Sequence, residues 1–409
     1  MANLLYGNVY YHSHFAGVLR QEPGERTSFT YHESYLAAGQ PAIAHTLPLQ
    51  REPVVAEAGL PPFFDNLVAE GWLEDAQTRV LGKRRASRFE LLLAFGHDCA
   101  GAVSVIDPDP QERGPVQPDH PLDLAVLAGR ASLSGIQPKL ALIHEHGSFR
   151  PTRARELSTH LGKFPSPRHE DLTANEYLTT RALKALLPDD QIVEMHLGRV
   201  EGVPEQALII PRFDRTADGR RIHFEEFTQL LGVPSAHKYD GSYRSLADFI
   251  RETPGCLPAE TYRLYRRILA GLLLGNTDMH LKNFAMIHTE AGLRLSPAYD
   301  ALAAALYGYT TLALSIGGTA NLPLGRLKAQ TLIRLGQDFG LSLAAIAMAT
   351  AHLARRRPAA TEAVGTSPVG TTALKEEILT QMERRWNGTF ALIGPALSKK
   401  RSGGAKPNN

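Results

Sequence analysis

Two cysteines, Cys99 and Cys256, are all that 409 residues contain, and they stand far apart. That spacing excludes a disulfide framework and a cysteine zinc site, and it fits a reducing cytoplasm. Long apolar runs are also missing. Met1 to Leu5 is too short for a secretory signal and Leu269 to Leu274 is far short of a membrane span, so the expected location is cytoplasmic. Charge of one sign is absent as well: 44 basic residues against 42 acidic ones leave a formal charge of +2. No global field draws the molecule to nucleic acid or membrane. There is no internal repeat, and no Walker A loop with its two glycines and Lys-Ser/Thr pair.

What is present suits a soluble, folded protein. Apolar residues make up 43% and charged residues 21%, and the length implies two or three packed units with a sizeable core. Residues 1–106 read as a small α+β subdomain, with a strand over Leu4 to Tyr11 and a helix near Phe63 to Leu67. Residues 107–120, with prolines at 108, 110, 115 and 118, read as a linker. Residues 121–224 are expected to carry strands at Lys139 to His144 and Gln206 to Ile210, a helix at Thr173 to Leu187, and a turn at Asp218-Gly219 before Ile222 to Phe224. Residues 225–397 turn helical. Pro258 to Gly275 has proline at its start and glycine at its stop, with a hairpin over Phe284 to Leu295 directly after it and a last helical stretch at 373–394. The basic, Gly-rich residues 398–409 read as a disordered tail.

The segment from Gly275 to Phe284 concentrates chemistry at the end of an apolar helix, in Gly-Asn-Thr-Asp278-Met-His280-Leu-Lys282-Asn283-Phe. Phosphoryl transfer needs a carboxylate to accept the nucleophile's proton and oxygen ligands to hold Mg2+ against phosphates. Asp278 suits the first role and Asn283 the second. A further metal carboxylate, Asp300 in Ser296-Pro-Ala-Tyr299-Asp300, follows the hairpin, so Asp, Asn, hairpin and Asp fall in protein-kinase order. The letters differ from the usual ones: Asn276-Thr277 stands for His-Arg and Tyr299-Asp300-Ala301 for Asp-Phe-Gly. Upstream, Ser132-Leu-Ser134-Gly135-Ile136-Gln137-Pro138-Lys139 forms a candidate phosphate loop, and Lys163 a candidate phosphate lysine. Glu176 is the candidate partner of Lys163, although Thr173-Ala-Asn-Glu176 also reads as a capping box. Taken singly, Asp278 and Asn283 read more readily as cap and loop residues, and it is their co-occurrence with the upstream lysine and loop that favours chemistry.

Five motifs in order resemble the HipA kinase family: Ser132 to Lys139, Leu161-Gly-Lys163, Pro211-Arg-Phe-Asp-Arg215, Asn276 to Asn283, and Pro297-Ala-Tyr-Asp300. Pro61 to Gly71 and Gly96-His-Asp-Cys-Ala-Gly-Ala102 resemble the same family's N-terminal region. The resemblance implies an α+β, two-lobed protein-kinase-like fold related to phosphoinositide kinases, with a small N-terminal subdomain and a mostly helical C-terminal lobe. It implies an ATP- and Mg2+-dependent protein serine/threonine kinase. Asp278 would be the base, Asn283 and Asp300 the metal ligands, and Ser134 to Lys139 with Lys163 the phosphate contacts. Pro211, Arg212 and Phe213 would be the hinge beside adenine, and His280, Lys282 and Tyr299 would complete the nucleotide site. Autophosphorylation on Ser132 or Ser134 would silence the enzyme by adding negative charge where ATP phosphates bind. The family further implies a toxin of a toxin–antitoxin system, a translation-related target such as an aminoacyl-tRNA synthetase, and a HipB-like DNA-binding antitoxin as partner.

Three other readings compete. A small-molecule kinase uses the same Asp, Asn and Asp on a related fold. A catalytically silent protein would keep the shape to engage an antitoxin or DNA complex. A metal hydrolase would use Asp278, His280 and Asp300, although Asp-x-His is a poor zinc signature.

Overall fold

The computed structural model describes residues 4–23, 26–109, 137–153, 156–166 and 168–402. Ser132, Ser134, Gly135 and Ile136 of the expected phosphate loop, most of the expected linker and residues 403–409 lie outside the described residues. The chain forms two compact units, Met1–Glu170 with Glu194–His237, and Asp171–Val193 with Lys238–Asn409.

The first unit begins with β1 (Tyr6–Tyr11), β2 (His14–Gln21), β3 (Thr27–Tyr31) and β4 (Val54–Ala56), and β5 (Val103–Ile106) joins them in an antiparallel sheet of order β4-β3-β2-β1-β5. Alternate residues of β1 are buried, as a half-covered strand requires. Phe29 of β3 meets Phe64 of the short Pro62–Asp65 helix with ring centroids 5.3 Å apart, which anchors the helical cover to the sheet. The Arg88–Phe95 helix starts at a Ser87 cap whose hydroxyl accepts from the Glu90 N–H.

The second half of this unit is a closed barrel of β6 (Lys139–Glu145), β7 (Ser148–Pro151), β8 (His160–Lys163), β9 (His196–Val200) and β10 (Val203–Pro211), ordered β10-β8-β6-β7-β9. A short strand β11 (Phe224–Glu226) follows. One continuous core runs from Val9, Phe29 and Phe64 to Leu140, Leu142, Phe164 and Ile209. Sheet and barrel thus share one interior, so the subdomain expected at residues 1–106 packs into the same unit as the strands that follow it.

In the second unit the Leu172–Leu186 helix packs along the 23-residue Leu343–Gly365 helix. The first helix starts at Asp171, whose φ of 54° is left-handed and whose side chain makes no cap bond. The capping box expected at Thr173 to Glu176 therefore does not form, because both residues already lie inside the helix, and Glu176 is buried. The Ala259–Leu274 helix is the apolar helix expected from the sequence: Leu264, Tyr265, Ile268, Leu269, Leu272 and Leu273 are all fully buried. Each such side chain contributes about 1.5–3 kcal/mol by leaving water. The hairpin of β12 (Ala285–Thr289) and β13 (Gly292–Leu295) pairs Thr289 with Gly292 around the two-residue turn Glu290-Ala291. The last helix, Ile393–Ser402, runs into the stretch expected as a tail.

Among the described residues no helix is long and apolar enough to cross a membrane.

Candidate active site

The Ala259–Leu274 helix stops at Gly275, whose φ of 84° is the left-handed conformation that glycine adopts without strain. Arg385, from the Thr372–Gly388 helix, donates from Nη1 to the Leu273 carbonyl at 2.9 Å, and its guanidinium lies where a side chain on residue 275 would point. The helix end is thus closed by a cation, and the chain is released into the Asn276–Asn283 loop in one direction. Gly275→Ala is expected to cost at least about 1–2 kcal/mol from the backbone conformation, with displacement of Arg385 on top; urea unfolding midpoints measure it.

Along the loop, neighbouring groups hold each other. Asn276 Nδ2 donates to the Asp300 carbonyl at 3.3 Å, and its Oδ1 accepts from the Asp278 N–H at 3.3 Å. The His280 N–H donates to Asn283 Oδ1 at 3.0 Å, and Asn283 Nδ2 donates to Asp300 Oδ2 at 3.4 Å. Asn283 Oδ1 keeps a second lone pair, which a cation can use. The Tyr299 hydroxyl donates to the Lys282 carbonyl at 2.7 Å, tying the Asp300 segment to the loop a second time. Asp300 itself has φ 53°, a left-handed value that aspartate tolerates better than most residues and that marks a conformation fixed by its surroundings. Asp278, Asn283 and Asp300 are therefore brought together, with His280, Lys282 and Tyr299 supporting them.

Asp278 differs from a helix-capping residue: the helix ends three residues earlier, and its carboxylate accepts from the Tyr239 hydroxyl at 3.0 Å instead. Tyr239 also stands edge-on to the His280 ring, centroids 5.0 Å apart. Asp278 is reachable by solvent, yet protein crowds its carboxyl. Desolvation is the largest influence and the Asp300 charge adds to it, so its pKa is raised, against the opposing pull of the Tyr239 hydrogen bond and the Lys238 charge. Tyr239 escaped the sequence reading, because a tyrosine 39 positions upstream of Asp278 carries no local signal. Removing its hydroxyl leaves the carboxylate less stabilised, so Tyr239→Phe is expected to move the acid limb of a pH–rate profile to higher pH.

The first unit holds the remaining candidates. Lys139 of β6 and Lys163 of β8 face each other directly in antiparallel register, and both are buried. That register sets two cationic side chains on one face of the barrel. Gln137 Nε2 donates to the Phe164 carbonyl at 2.9 Å, and the Phe164 N–H to the Pro138 carbonyl at 2.8 Å, which fixes the exit of the expected phosphate loop beside Lys163. Pro211, the last residue of β10, is exposed, and the Phe213 ring packs on Phe224 at 4.9 Å. Arg212 is different. Its guanidinium is buried against Asp98, Asp214, Ser158 and the Cys99 carbonyl, and its N–H donates to the Thr159 carbonyl at 2.9 Å. Neither its side chain nor its N–H is available to adenine. Asp214 and Arg215 are buried in the same network. Asp278, His280 and Asp300 do not bring ligand atoms within 4.8 Å of one another as a metal-binding trio, which weighs against the hydrolase reading.

Residues 131–364, more than half of the chain, match the HipA-like C-terminal domain, and residues 7–106 match the HipA N-terminal domain. Y4dM of Sinorhizobium fredii is 31% identical over 324 residues, covering 73% of this chain and 77% of that protein. The serine/threonine-protein kinase toxin HipA of Shewanella oneidensis is 28% identical over 314 residues, covering 68% of this chain and 70% of the relative. A solved structure of a Shewanella oneidensis toxin–antitoxin complex of HipA, HipB and operator DNA contains a chain that superposes with a TM-score of 0.76 at 22% identity, over 95% of this chain and 99% of that one, which shows the shared fold. With both of the family's domains matched in order over a kinase-like fold, the chain belongs to the HipA kinase family.

Proposed function

We propose that this chain transfers the terminal phosphoryl group of ATP to serine or threonine of a protein. The observation that carries the reading is the hydrogen-bonded set around Asp278, Asn283 and Asp300, in which the loop after the Ala259–Leu274 helix and the segment after the hairpin bring together a proton acceptor and two oxygen ligands. Bound Mg2+ would supply charge neutralisation on the phosphates, and Asn283 and Asp300 are the donors suited to it. Asp278 accepts the hydroxyl proton of the substrate. Lys139 and Lys163 offer paired positive charge to phosphate oxygens, and the exposed Pro211 offers its carbonyl at the hinge. Lys282 and Tyr299 hold the metal ligands in place through the Tyr299 hydrogen bond.

In this reading the substrate is a translation-related protein, the toxin is held by a HipB-like antitoxin, and phosphate on Ser132 or Ser134 turns the enzyme off. The HipB-containing complex of the Shewanella relative supports the partner. The test is incubation of the wild-type chain with labelled ATP, Mg2+ and cell extract, followed by phosphopeptide mass spectrometry. Labelled protein that disappears with EDTA is the expected result. Label confined to metabolites would support a small-molecule kinase, and no transfer at all would leave a silent binding protein.

A further inference from the structure

Two motifs singled out in the sequence, Gly96 to Ala102 and Pro211 to Arg215, turn out to be one buried structure. Arg212 uses all five of its N–H donors: Nε to Asp214 Oδ1 at 2.9 Å, Nη1 to Asp98 Oδ2 at 3.2 Å and Ser158 Oγ at 2.7 Å, and Nη2 to Asp214 Oδ2 at 2.7 Å and the Cys99 carbonyl at 3.1 Å. Arg215 reaches Asp98 Oδ1 at 2.8 Å, Asp214 Oδ2 at 2.8 Å, and the carbonyls of Cys99 and Gly101 at 3.0 and 3.2 Å. Asp214 accepts in return from the Gly101 N–H at 2.8 Å, and Asp98 accepts from both the N–H and the hydroxyl of Ser158, at 3.0 and 2.6 Å. Gly101 sits at φ 71°, and a side chain there would press on the Phe224 carbonyl at 3.0 Å. Arg221 closes the loop from the other side, donating to the carbonyls of His97 and Val103 at 2.5 and 2.8 Å.

We propose that residues 97–102 of the N-terminal subdomain act as the positioning element of the nucleotide hinge, working through Arg212. This rests on the kinase reading, in which Pro211 to Phe213 border adenine. Arg212 lies between the two residues that would face the base, and its backbone is pinned at both ends of its hydrogen-bonding capacity: the N–H to Thr159 and the side chain to Asp98, Asp214, Ser158 and Cys99. Three segments distant in sequence, 97–102, 158–159 and 211–215, thus set one short stretch of backbone before any ligand arrives. Preorganisation of this kind lowers the ordering cost that a ligand otherwise meets on binding. The N-terminal subdomain is then a part of the nucleotide site through its hold on Arg212.

The test measures ATP saturation kinetics of full-length Asp98→Asn and Ser158→Ala. Ser158→Ala removes only the hydroxyl shared by Asp98 and Arg212, and it serves as the readout if Asp98→Asn does not fold. The KM for ATP is expected to rise about tenfold for Asp98→Asn and several-fold for Ser158→Ala, with kcat at saturating ATP within about twofold of wild type. Arg267→Ala provides the comparison: it breaks a buried pair with Asp190 in the other unit, so it lowers stability without raising the KM for ATP. Folded variants with a wild-type KM, or an equal rise in Arg267→Ala, overturn the proposal. A wild-type chain that neither binds nor turns over ATP would instead remove the kinase reading, and the hinge with it.

Discussion

Asp278→Asn is expected to lower phosphoryl transfer by about 10³-fold or more while leaving the protein folded and at least as heat-resistant as wild type at pH 7. The loss follows from chemistry: the amide cannot take the proton of the attacking hydroxyl, and a positioned base contributes about 10²–10⁴ in rate. The retained stability follows from the direction of the pKa shift. Desolvation and then the Asp300 charge raise the folded-state pKa of Asp278 above its ordinary value of 3.8. A carboxyl shifted upward favours folding most at low pH, below 3.8, and that advantage is lost as pH rises through the folded value. At neutral pH the ionised group therefore opposes folding, and the uncharged amide does not. Thermal melts at pH 7 and pH 5 read the stability, and labelled-ATP transfer reads the rate. A variant that melts well below wild type, or that keeps wild-type transfer, would contradict the assignment of Asp278 as base.

Arg212→Ala is expected to be the most destabilising single substitution considered, costing about 3–5 kcal/mol, because it leaves Asp98 and Asp214 buried without their main partner. Burial works against both carboxylates, yet the arginines outweigh it and both pKa values lie below the ordinary 3.8. A depressed carboxyl contributes stability above its unfolded pKa and loses it as pH falls through the folded one. The wild-type network is therefore at full strength at neutral pH and weakens only in acid, below about pH 4. Loss of Arg212 removes that contribution at neutral pH, so the variant's urea midpoint is expected to fall at pH 7 and to approach the wild-type value at low pH. Burial first, and then the positive charge of Arg215, hold Arg221 down to about 10, so replacing Arg221 should be tolerated better than replacing Arg212.

Local order was legible where one segment carries its own instruction. The apolar spacing from Pro258 to Gly275 announced a helix with a glycine stop, and the helix Ala259–Leu274 ends at Gly275. Glu290-Ala291 before Gly292 marked the hairpin turn, and β12 and β13 pair around it. The Asp278, Asn283 and Asp300 order was also readable, since the chain passes through all three within one loop and one hairpin. The sequence misled where a local motif had a non-local competitor. Thr173 to Glu176 has the letters of a capping box, but the helix begins at Leu172 and buries Glu176 instead. Arg212 has the position of a hinge residue, but Asp98, 114 positions away, takes its side chain.

The sequence by itself determined the family order of motifs, the helix that presents the candidate catalytic loop, and the order of Asp278 in that loop and Asp300 after the hairpin. Each of these depends on neighbours within a few turns of chain, where periodicity and turn chemistry act directly. Tertiary structure alone decided that the N-terminal sheet and the barrel share one core, that Lys139 and Lys163 are strand partners, that Tyr239 holds Asp278, and that Asp98 holds Arg212. Those depend on strand register and on burial of charge, and both are set by which distant segments exclude water from one another.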